Sequence, residues 1–248
     1  MARSYSATTD QIVATSPWAG LRPLSVSGWF NTTLTVTGGS LFTTGNPGFV
    51  AASCFDVAVG TSGTRKVAAS DCNFGFTATV NQYTASTWSH FGAWSSSNDT
   101  GGVVLNGDWA NRAQAAIGAL TPAGTKFIIG NGNSGSNNLG GSLAELAVWN
   151  AKLGQDEFLA LAAGTPAFLI RPKVLVGYWR LDGYGAPALD RSFMKSNGVL
   201  TGTTFVMPGP LLVSAAPPIV PLPDPSFVIP PQVVVQPPPF ILMPQIVT

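Results

Sequence analysis

Charged residues are scarce in this chain. It has 12 Lys or Arg and 11 Asp or Glu, which is 9% of 248 residues, whereas a typical soluble protein has about 25%. The formal net charge is +1, and no cluster of Lys and Arg provides the positive surface that nucleic-acid phosphates require. We therefore exclude a nucleic-acid-binding protein. A surface with so few charges also favours an assembly in which part of that surface is buried.

Membrane and secretion signals are also lacking. No apolar run without proline reaches the roughly 18 residues of a membrane-spanning helix. The first residues, MARSYSATTDQIVATS, lack the apolar segment of a secretory signal. We therefore expect no membrane partner and no signal-directed secretion. His90 is the only histidine, and because a Ser–His–acid triad needs other groups to converge on it, we interpret His90 as structural.

Cysteine is also rare, and the chain has only Cys54 and Cys72. Strand-like residues flank a turn at 61–64, and its Gly63 is the midpoint between the two cysteines. A hairpin centred on Gly63 places Cys54 opposite Cys72, where Cα atoms lie about 4.5–5.5 Å apart and a disulfide can form. Two buried thiols are the alternative, since a disulfide also needs an oxidising compartment.

Proline, in contrast, is concentrated at the end of the chain. Residues 205–248 hold 13 of the 20 prolines and a single charge, Asp224. Proline this dense prevents helices and central strands, yet the apolar side chains between the prolines favour leaving water by about 25 cal/mol per Å². We interpret 205–248 as an extended arm that docks on a neighbouring surface, not as a linker. Its most strand-like residues are Val233, Val234, Val235, Phe240, Ile241, Leu242 and Met243.

Before the arm, Gly, Ser, Thr and Asn are abundant, which favours β structure with many turns. We predict an irregular lead-in over 1–24 and a single β domain over 25–204. One short helix is predicted at Gln155–Ala163, with acids in its first turn and Gly164 as its stop. The predicted strands are Ser25–Thr32, Gly39–Thr43, Phe49–Val59, Lys66–Ala69, Asn73–Asn81, Trp88–Ser95, Gly102–Leu105, Phe127–Ile129, Gly141–Asn150 and Val174–Leu181.

Several of these segments carry motifs of a known family. They are SVSGWFNT at Ser25–Thr32, WSHFGAW at Trp88–Trp94, GVVLNG at Gly102–Gly107 and the closing strand and helix at Gly140–Leu161. Together they resemble the laminin-G-like and concanavalin-A-like domains. Leu175–Gly202 is similar to the family's usual opening strands, displaced here to the end. The resemblance implies an all-β, antiparallel jelly-roll β-sandwich with one short helix, followed by the Pro-rich C-terminal arm.

Such a domain with a Pro-rich extension is also similar to laminin-G-like proteins of tailed bacteriophages and prophages. The resemblance implies a non-enzymatic virion structural protein, such as a capsid decoration, on the particle surface after assembly in the host cytoplasm. Its partners would be other virion proteins, such as the major capsid protein, and further copies of itself, with the arm as anchor. A carbohydrate-binding, lectin-like module that adheres to surface glycans is the alternative, because a fold does not fix a function.

Calcium is the one cofactor that the resemblance suggests. Many members of the family bind it near a sheet rim through Asp and Asn oxygens. Turn formation by these residue types is the alternative explanation, and Asn106 replaces the family's usual Asp. The candidate ligands are Asn98, Asp99, Asn106 and Asp108, with Asp182 and Asp190 as further contributors.

Trp109, in the loop after the predicted hairpin, is the candidate sugar-binding residue, because an aromatic ring presents a flat apolar face. Alternation places most other tryptophans inside, among them Trp94, Trp149 and Trp179. Glycosidases of this fold use paired carboxylates, often spaced E-x-D-x-x-E, and the chain lacks that trio. Glu145 is expected on a strand, and helix capping explains Asp156 and Glu157. We therefore predict no catalytic residue.

Overall fold

The computed structural model describes residues 2–19, 21–34, 38–45, 54–60, 63–70, 76–96, 100–116, 125–132, 137–183, 185–206 and 209–210. These residues form two antiparallel sheets and one α-helix, so the predicted jelly-roll β-sandwich is confirmed. The helix, α1 (Gln155–Ala162), has eight residues. No helix in this part of the chain is long and apolar enough to cross a membrane.

One sheet has eight strands within the described residues. Its order is β10-β9-β8-β3-β12-β1-β15, and β13 also pairs with β12. The first strand β1 and the strand β13 lie on the same side of β12, where they pair with its first and second halves. The strands are β1 (Ala2–Tyr5), β3 (Leu24–Thr32), β8 (Ser89–Ser95), β9 (Thr100–Leu105), β10 (Ala113–Ala116), β12 (Gly141–Trp149), β13 (Leu175–Trp179) and β15 (Thr204–Val206).

The second sheet has seven strands among the residues described. Its order is β14-β2-β11-β4-β5-β6-β7, and every pairing is antiparallel. The strands are β2 (Gln11–Thr15), β4 (Gly39–Gly45), β5 (Phe55–Val59), β6 (Val67–Ser70), β7 (Phe76–Ala78), β11 (Lys126–Ile129) and β14 (Val199–Thr201).

Residues 1–24 are not an irregular lead-in, so that prediction is wrong. This segment supplies β1 to the eight-stranded sheet and β2 to the seven-stranded sheet. Ile12 and Ala14 alternate with half-buried residues and are fully buried in the core. Such alternation is the pattern of a strand with one face covered.

The boundary between domain and arm also shifts. Phe205 lies opposite Arg3, because β15 pairs with β1. The sandwich therefore extends to Val206, and the start of the predicted arm belongs to it. Residues 211–248, with the predicted docking residues, lie outside the described residues. The segment 175–202 contributes β13 to one sheet and β14 to the other, as the resemblance implied.

The main core lies between the sheets. It is built from buried aromatic and branched side chains of both sheets, among them Phe30, Phe42, Phe55, Phe91, Phe127 and Trp179. On the eight-stranded sheet these residues alternate with side chains that face the opposite way, so Phe91 and Ala93 point inward while Trp94 does not. Because side chains alternate along β8, successive residues point into the main core and toward the outer face of the sheet in turn.

A second, smaller core covers part of the outer face of the eight-stranded sheet. There α1 packs Phe158 and Leu161 against Trp94 and Trp149, all of them buried. The Gly154 N–H donates to Glu157 Oε2 at 2.7 Å and fixes the start of the helix. Gly92 makes the close approach possible, because a Cβ at this position would lie 2.3 Å from Cδ1 of Phe158.

The predicted hairpin at Gly63 is present. Asp56 pairs with Ser70 and Val59 with Val67, and Gly63 has a φ of +72°. Cys54 is buried and disulfide-bonded, whereas Cys72, its predicted partner, lies outside the described residues.

Candidate functional site

A bulge in the central strand β12 creates the most distinctive local geometry of the eight-stranded sheet. The register between β12 and β3 shifts between Ala144 and Ala147. Glu145, which lies in this bulge, has a φ of +53°, a conformation that is strained for a residue other than glycine. β-Bulges re-aim side chains and are common beside functional sites. Here the bulge places one extra side chain, a carboxylate, on the outer face of the sheet.

Glu145 is held by donors from the neighbouring segment. The Tyr178 hydroxyl donates to Glu145 Oε2, and Arg180 Nε donates to Glu145 Oε1 at 3.2 Å. Arg180 Nε also lies 3.2 Å from Asp182 Oδ2, and Arg191 Nη2 lies 3.8 Å from Asp182 Oδ1. Two carboxylates and two guanidinium groups therefore alternate along one row, which fixes their positions.

The environment of this row determines its protonation states. Burial raises the pKa of Tyr178 well above its ordinary value, and the charge of Glu145 together with the hydrogen bond to it raises this pKa further. Burial lowers the pKa of Arg180, but Asp182 and Glu145 outweigh this effect, so its pKa is raised. At neutral pH Tyr178 is therefore a fixed hydrogen-bond donor and Arg180 a fixed cation.

A cavity of about 350 Å³ opens above this row. The lining residues with polar groups are Glu145, Tyr178, Arg180 and Arg191, and the apolar wall includes Phe168 and Pro166 from the segment after α1. Phe168 is 51% exposed and its ring centre lies 6.4 Å from that of Tyr178. Known ligand pockets have about 300–1,000 Å³ and combine apolar walls with a few converging polar groups, and this cavity has both properties.

A second cavity, of about 220 Å³, adjoins the first. Arg180 and Arg191 line both cavities, and Arg3 and Asp182 line only the smaller one. Residues of the loop after Leu181 also line this cavity. Leu181 has a φ of +61°. The two cavities thus share a pair of arginines, and we refer to the two together as the cleft.

His90 lies beside the cleft but is buried. Its Nε2 is 2.7 Å from Ser27 Oγ, and its ring makes an edge contact with Trp29 at 5.3 Å. Nδ1 has no hydrogen-bond partner among the described residues, so no acid completes a triad there. Burial lowers the pKa of His90 to about 3. A neutral, buried imidazole agrees with our interpretation of His90 as a structural residue.

Two of the predicted calcium ligands, Asn106 and Asp108, form hydrogen bonds at a turn. Asn106 Oδ1 accepts from the His90 N–H at 2.7 Å. Asp108 accepts from Asn81 and Asn111 at 2.8 Å each. Positive φ angles at Asn106 and Gly107 are typical of a tight turn.

No group of three or more His, Cys, Asp or Glu that could hold a metal occurs in the described ranges. Asn98 and Asp99 lie outside these ranges, so the calcium site stays a prediction. Of its further contributors, Asp182 lies in the smaller cavity, where it pairs with arginines. Asp190 is buried and accepts from the N–H groups of Tyr178, Ser192 and Ser196.

Trp109, the predicted sugar-binding residue, lies away from the cleft. Its ring stacks on Trp94 at 5.3 Å and on Phe158 at 6.3 Å, and the Arg112 guanidinium lies 4.9 Å from its centre. The ring of Trp109 thus packs against other side chains of the protein. Trp94, Trp149 and Trp179 are buried, as alternation predicts, although the first two lie in the smaller core beneath α1.

Comparisons with known proteins show the fold and no family. No family model and no curated protein matches the chain. Among solved structures, a Bacteroides ovatus protein assigned as carbohydrate-binding is 16% identical with a TM-score of 0.60, over 82% of this chain and 58% of its own. A heptameric SAP-like pentraxin of Limulus polyphemus is 17% identical with a TM-score of 0.56, over 79% and 96%.

A third similar structure is the CBM40 domain of the Ruminococcus gnavus IT-sialidase bound to α2,3-sialyllactose. It is 12% identical with a TM-score of 0.50, over 64% of this chain and 97% of that domain. These likenesses support the laminin-G-like and concanavalin-A-like jelly-roll architecture. The chain spans 58% of the length of the Bacteroides protein.

Sequence reasoning missed most of the cleft. No sequence motif assigns a functional role to Tyr178, Arg180 or Arg191, and Glu145 is expected only as a strand residue. The available signal is their segment, 175–202, which carries the displaced opening motif and five of the 23 charged residues of the chain. Its pairing with the bulged β12 brings these residues together, and no spacing within the sequence indicates that pairing.

Proposed function

We propose that this domain is a non-enzymatic carbohydrate-binding module and that the saccharide lies in the larger cavity. The observation that carries the proposal is the combination of an aromatic wall and fixed polar groups on the outer face of a jelly-roll sheet. Phe168 and Pro166 supply apolar surface, which suits the C–H face of a sugar ring. Glu145 and the arginines supply acceptors and donors for its hydroxyl groups.

The carboxylate arrangement supports binding without hydrolysis. Glycosidases position two carboxyl groups about 5–9.5 Å apart across the scissile bond. Among the described residues that line the larger cavity, Glu145 is the single acid, and its oxygens accept from Tyr178 and Arg180. A carboxylate held in this way acts as an anchored acceptor, and no second acid faces it across that cavity.

A glycan array followed by titration calorimetry on the full chain tests the proposal. We expect at least one neutral or acidic saccharide to bind, and Phe168→Ala to weaken it about fivefold, since burying half of a Phe side chain contributes about 1 kcal/mol. Phe193→Ala is the matched control, because Phe193 is 58% exposed and lines none of the described cavities. Binding that is equally insensitive to both changes would place the saccharide elsewhere.

The virion role is a separate prediction, supported by the low charge and the Pro-rich arm in the sequence. Its test is a truncation that leaves the sandwich complete. Because β15 ends at Val206, removal of residues 211–248 preserves every strand described. We expect the truncated protein to bind saccharide normally but to lose self-association and attachment to particles. Normal attachment without residues 211–248 would contradict the anchoring role of the arm.

A further inference from the structure

The two cavities of the cleft differ in charge. The described lining of the smaller cavity includes three arginines, Arg3, Arg180 and Arg191, and one carboxylate, Asp182. The lining of the larger cavity has two of these arginines and Glu145. A quarter of the 12 Lys and Arg residues of the chain therefore meet at the smaller cavity, in a protein that otherwise avoids charge.

The donor groups of these arginines are only partly used. Arg180 commits its Nε to Glu145 and Asp182, and the contact of Arg191 with Asp182 is 3.8 Å long, beyond hydrogen-bond distance. Arg3 Nη2 donates to the carbonyls of Gly183 and Gly185 at 2.5 and 2.8 Å. Its Nε is buried without a partner among the described residues. The Nη groups of Arg180 and Arg191, which line both cavities, thus remain available for an anionic acceptor.

Arg3 is the least balanced of these cations. It is 5% exposed, and no salt bridge joins it to an acid within the described residues. Burial lowers its pKa, as expected for a cation that is removed from water without a counter-charge. An anion in the adjoining cavity would provide that counter-charge.

We propose that the smaller cavity is a subsite for the carboxylate or sulfate group of an acidic saccharide whose neutral ring occupies the larger cavity. The inference rests on the proposed carbohydrate-binding function and adds a ligand class to it. Planar guanidinium groups match carboxylate and sulfate oxygens through paired N–H donors. Arg180 and Arg191 line both cavities, so they lie where the acidic substituent joins its ring.

Three ligands with a common core test the proposal: lactose, sialyllactose and a sulfated lactose. They are neutral, carboxylated and sulfated respectively. In titration calorimetry with the full chain, we expect at least one of the charged ligands to bind 10-fold or more tightly than lactose. The preference should shrink between 50 and 500 mM NaCl, since salt screens exposed charges over about 10 Å at 0.1 M. The affinity for lactose should not change over this range.

Variants of Arg191 test whether the cleft causes the preference for charged ligands. Arg191 is half-exposed and forms one long ion pair, so Arg191→Gln should fold normally. We expect it to weaken the charged ligands about 10-fold or more and lactose by a smaller factor, since a neutral sugar loses a hydrogen bond but no ion pair. Most of the preference for charged ligands should therefore disappear, and Arg191→Lys should restore part of it. Arg112→Gln is the matched control, since exposed Arg112 lines no described cavity.

The outcomes separate the two proposals. Equal affinity for the three ligands, or a preference that Arg191→Gln leaves intact, overturns the acidic subsite while carbohydrate binding stands. Absence of binding to these ligands and to every saccharide of the array overturns both. Arg3→Gln provides a second variant within the same cavity, with folding checked by circular dichroism.

Discussion

The two faces of the eight-stranded sheet come from the same strands but have different compositions. The inner face packs Phe30, Phe91 and Trp179 against the other sheet, and these side chains are fully buried. The outer face begins with a similar aromatic cluster beneath α1. It continues beyond that cluster to Glu145, Arg180 and Arg191, which line the larger cavity.

This difference shows how the sheet combines stability with binding. A regular period of two along each strand gives the inner face its continuous apolar surface. The outer face departs from regularity at the bulge of β12, where Glu145 has a strained backbone. Strain of this kind persists only when the surroundings enforce it, and here Tyr178 and Arg180 hold Glu145 through hydrogen bonds.

The largest expected effect is on the inner face. Phe91→Ala removes a fully buried ring that lies 6.2 Å from the ring of Phe30. We expect the free energy of unfolding to fall by about 3–5 kcal/mol, since the cavity left behind adds to the lost transfer energy. Urea denaturation followed by tryptophan fluorescence measures it. A loss below 1 kcal/mol would contradict the close packing of the inner face.

Acid should destabilise the protein through the outer face. The folded-state pKa of His90 is about 3, below its unfolded value of about 6.5, so between these values the unfolded chain binds more protons. Stability due to this group is complete above pH 6.5 and falls by about 1.4 kcal/mol per pH unit below it. From pH 7 to 4.5, we expect wild type to lose about 2–3 kcal/mol more than His90→Gln.

The difference between the stability profiles of wild type and His90→Gln reports the contribution of the His90 imidazole alone. Asp56 is also buried and burial raises its pKa, so its contribution has the opposite sign, but it is common to both proteins. Ser27, Trp29 and Glu145 line the small cavity at His90 and are likewise unchanged. Parallel stability profiles for the two proteins would show that His90 is not buried in its neutral form.

Substitutions at the contact between the sheet and α1 should have a smaller effect on the free energy of unfolding. Gly92→Val places a side chain where Phe158 now lies, and overpacking of this kind costs about 1–3 kcal/mol. We expect the double variant Gly92→Val with Phe158→Ala to be less destabilised than the sum of the single changes. Chemical denaturation of the four proteins measures the coupling. Strict additivity would mean that the helix does not press on β8.

The smallest effect on stability is expected at the cleft. Phe168→Ser alters an exposed side chain, and surface substitutions usually change stability by no more than about 0.5 kcal/mol. The same change should weaken saccharide binding, because it removes the apolar wall of the larger cavity. Thermal unfolding together with calorimetric titration checks both. A large loss of stability would assign Phe168 to the core and not to the cleft.

The sequence predicts the inner face better than the outer one. Ser25–Thr32 and Trp88–Ser95 are recognisable because alternation and aromatic content act locally, and both form strands within a residue of the predicted bounds. The hairpin at Gly63 is predictable for the same reason. In contrast, β2 pairs with β11 and β14, more than 100 residues away. Its five residues carry too little periodicity to be recognised alone.

The cleft was not predictable, for a related reason. Glu145 and Tyr178 meet because β13 pairs with β12, and the bulge that re-aims Glu145 leaves no mark in the spacing of residues. Trp109, the predicted sugar-binding residue, is instead packed on Trp94. Polar side chains reveal a site only after the strands that carry them have been aligned.

The pairing of β1 with β15 has a consequence for folding kinetics. Ala2 lies opposite Val206, so this edge of the sheet closes only after nearly the whole sandwich has been synthesised. Contacts between residues so distant in sequence slow folding. Arg3, on β1, and Arg180 and Arg191, near the end of the sandwich, line one cavity. That cavity is therefore among the last parts to form on the ribosome, and ligand binding there would report that folding is complete.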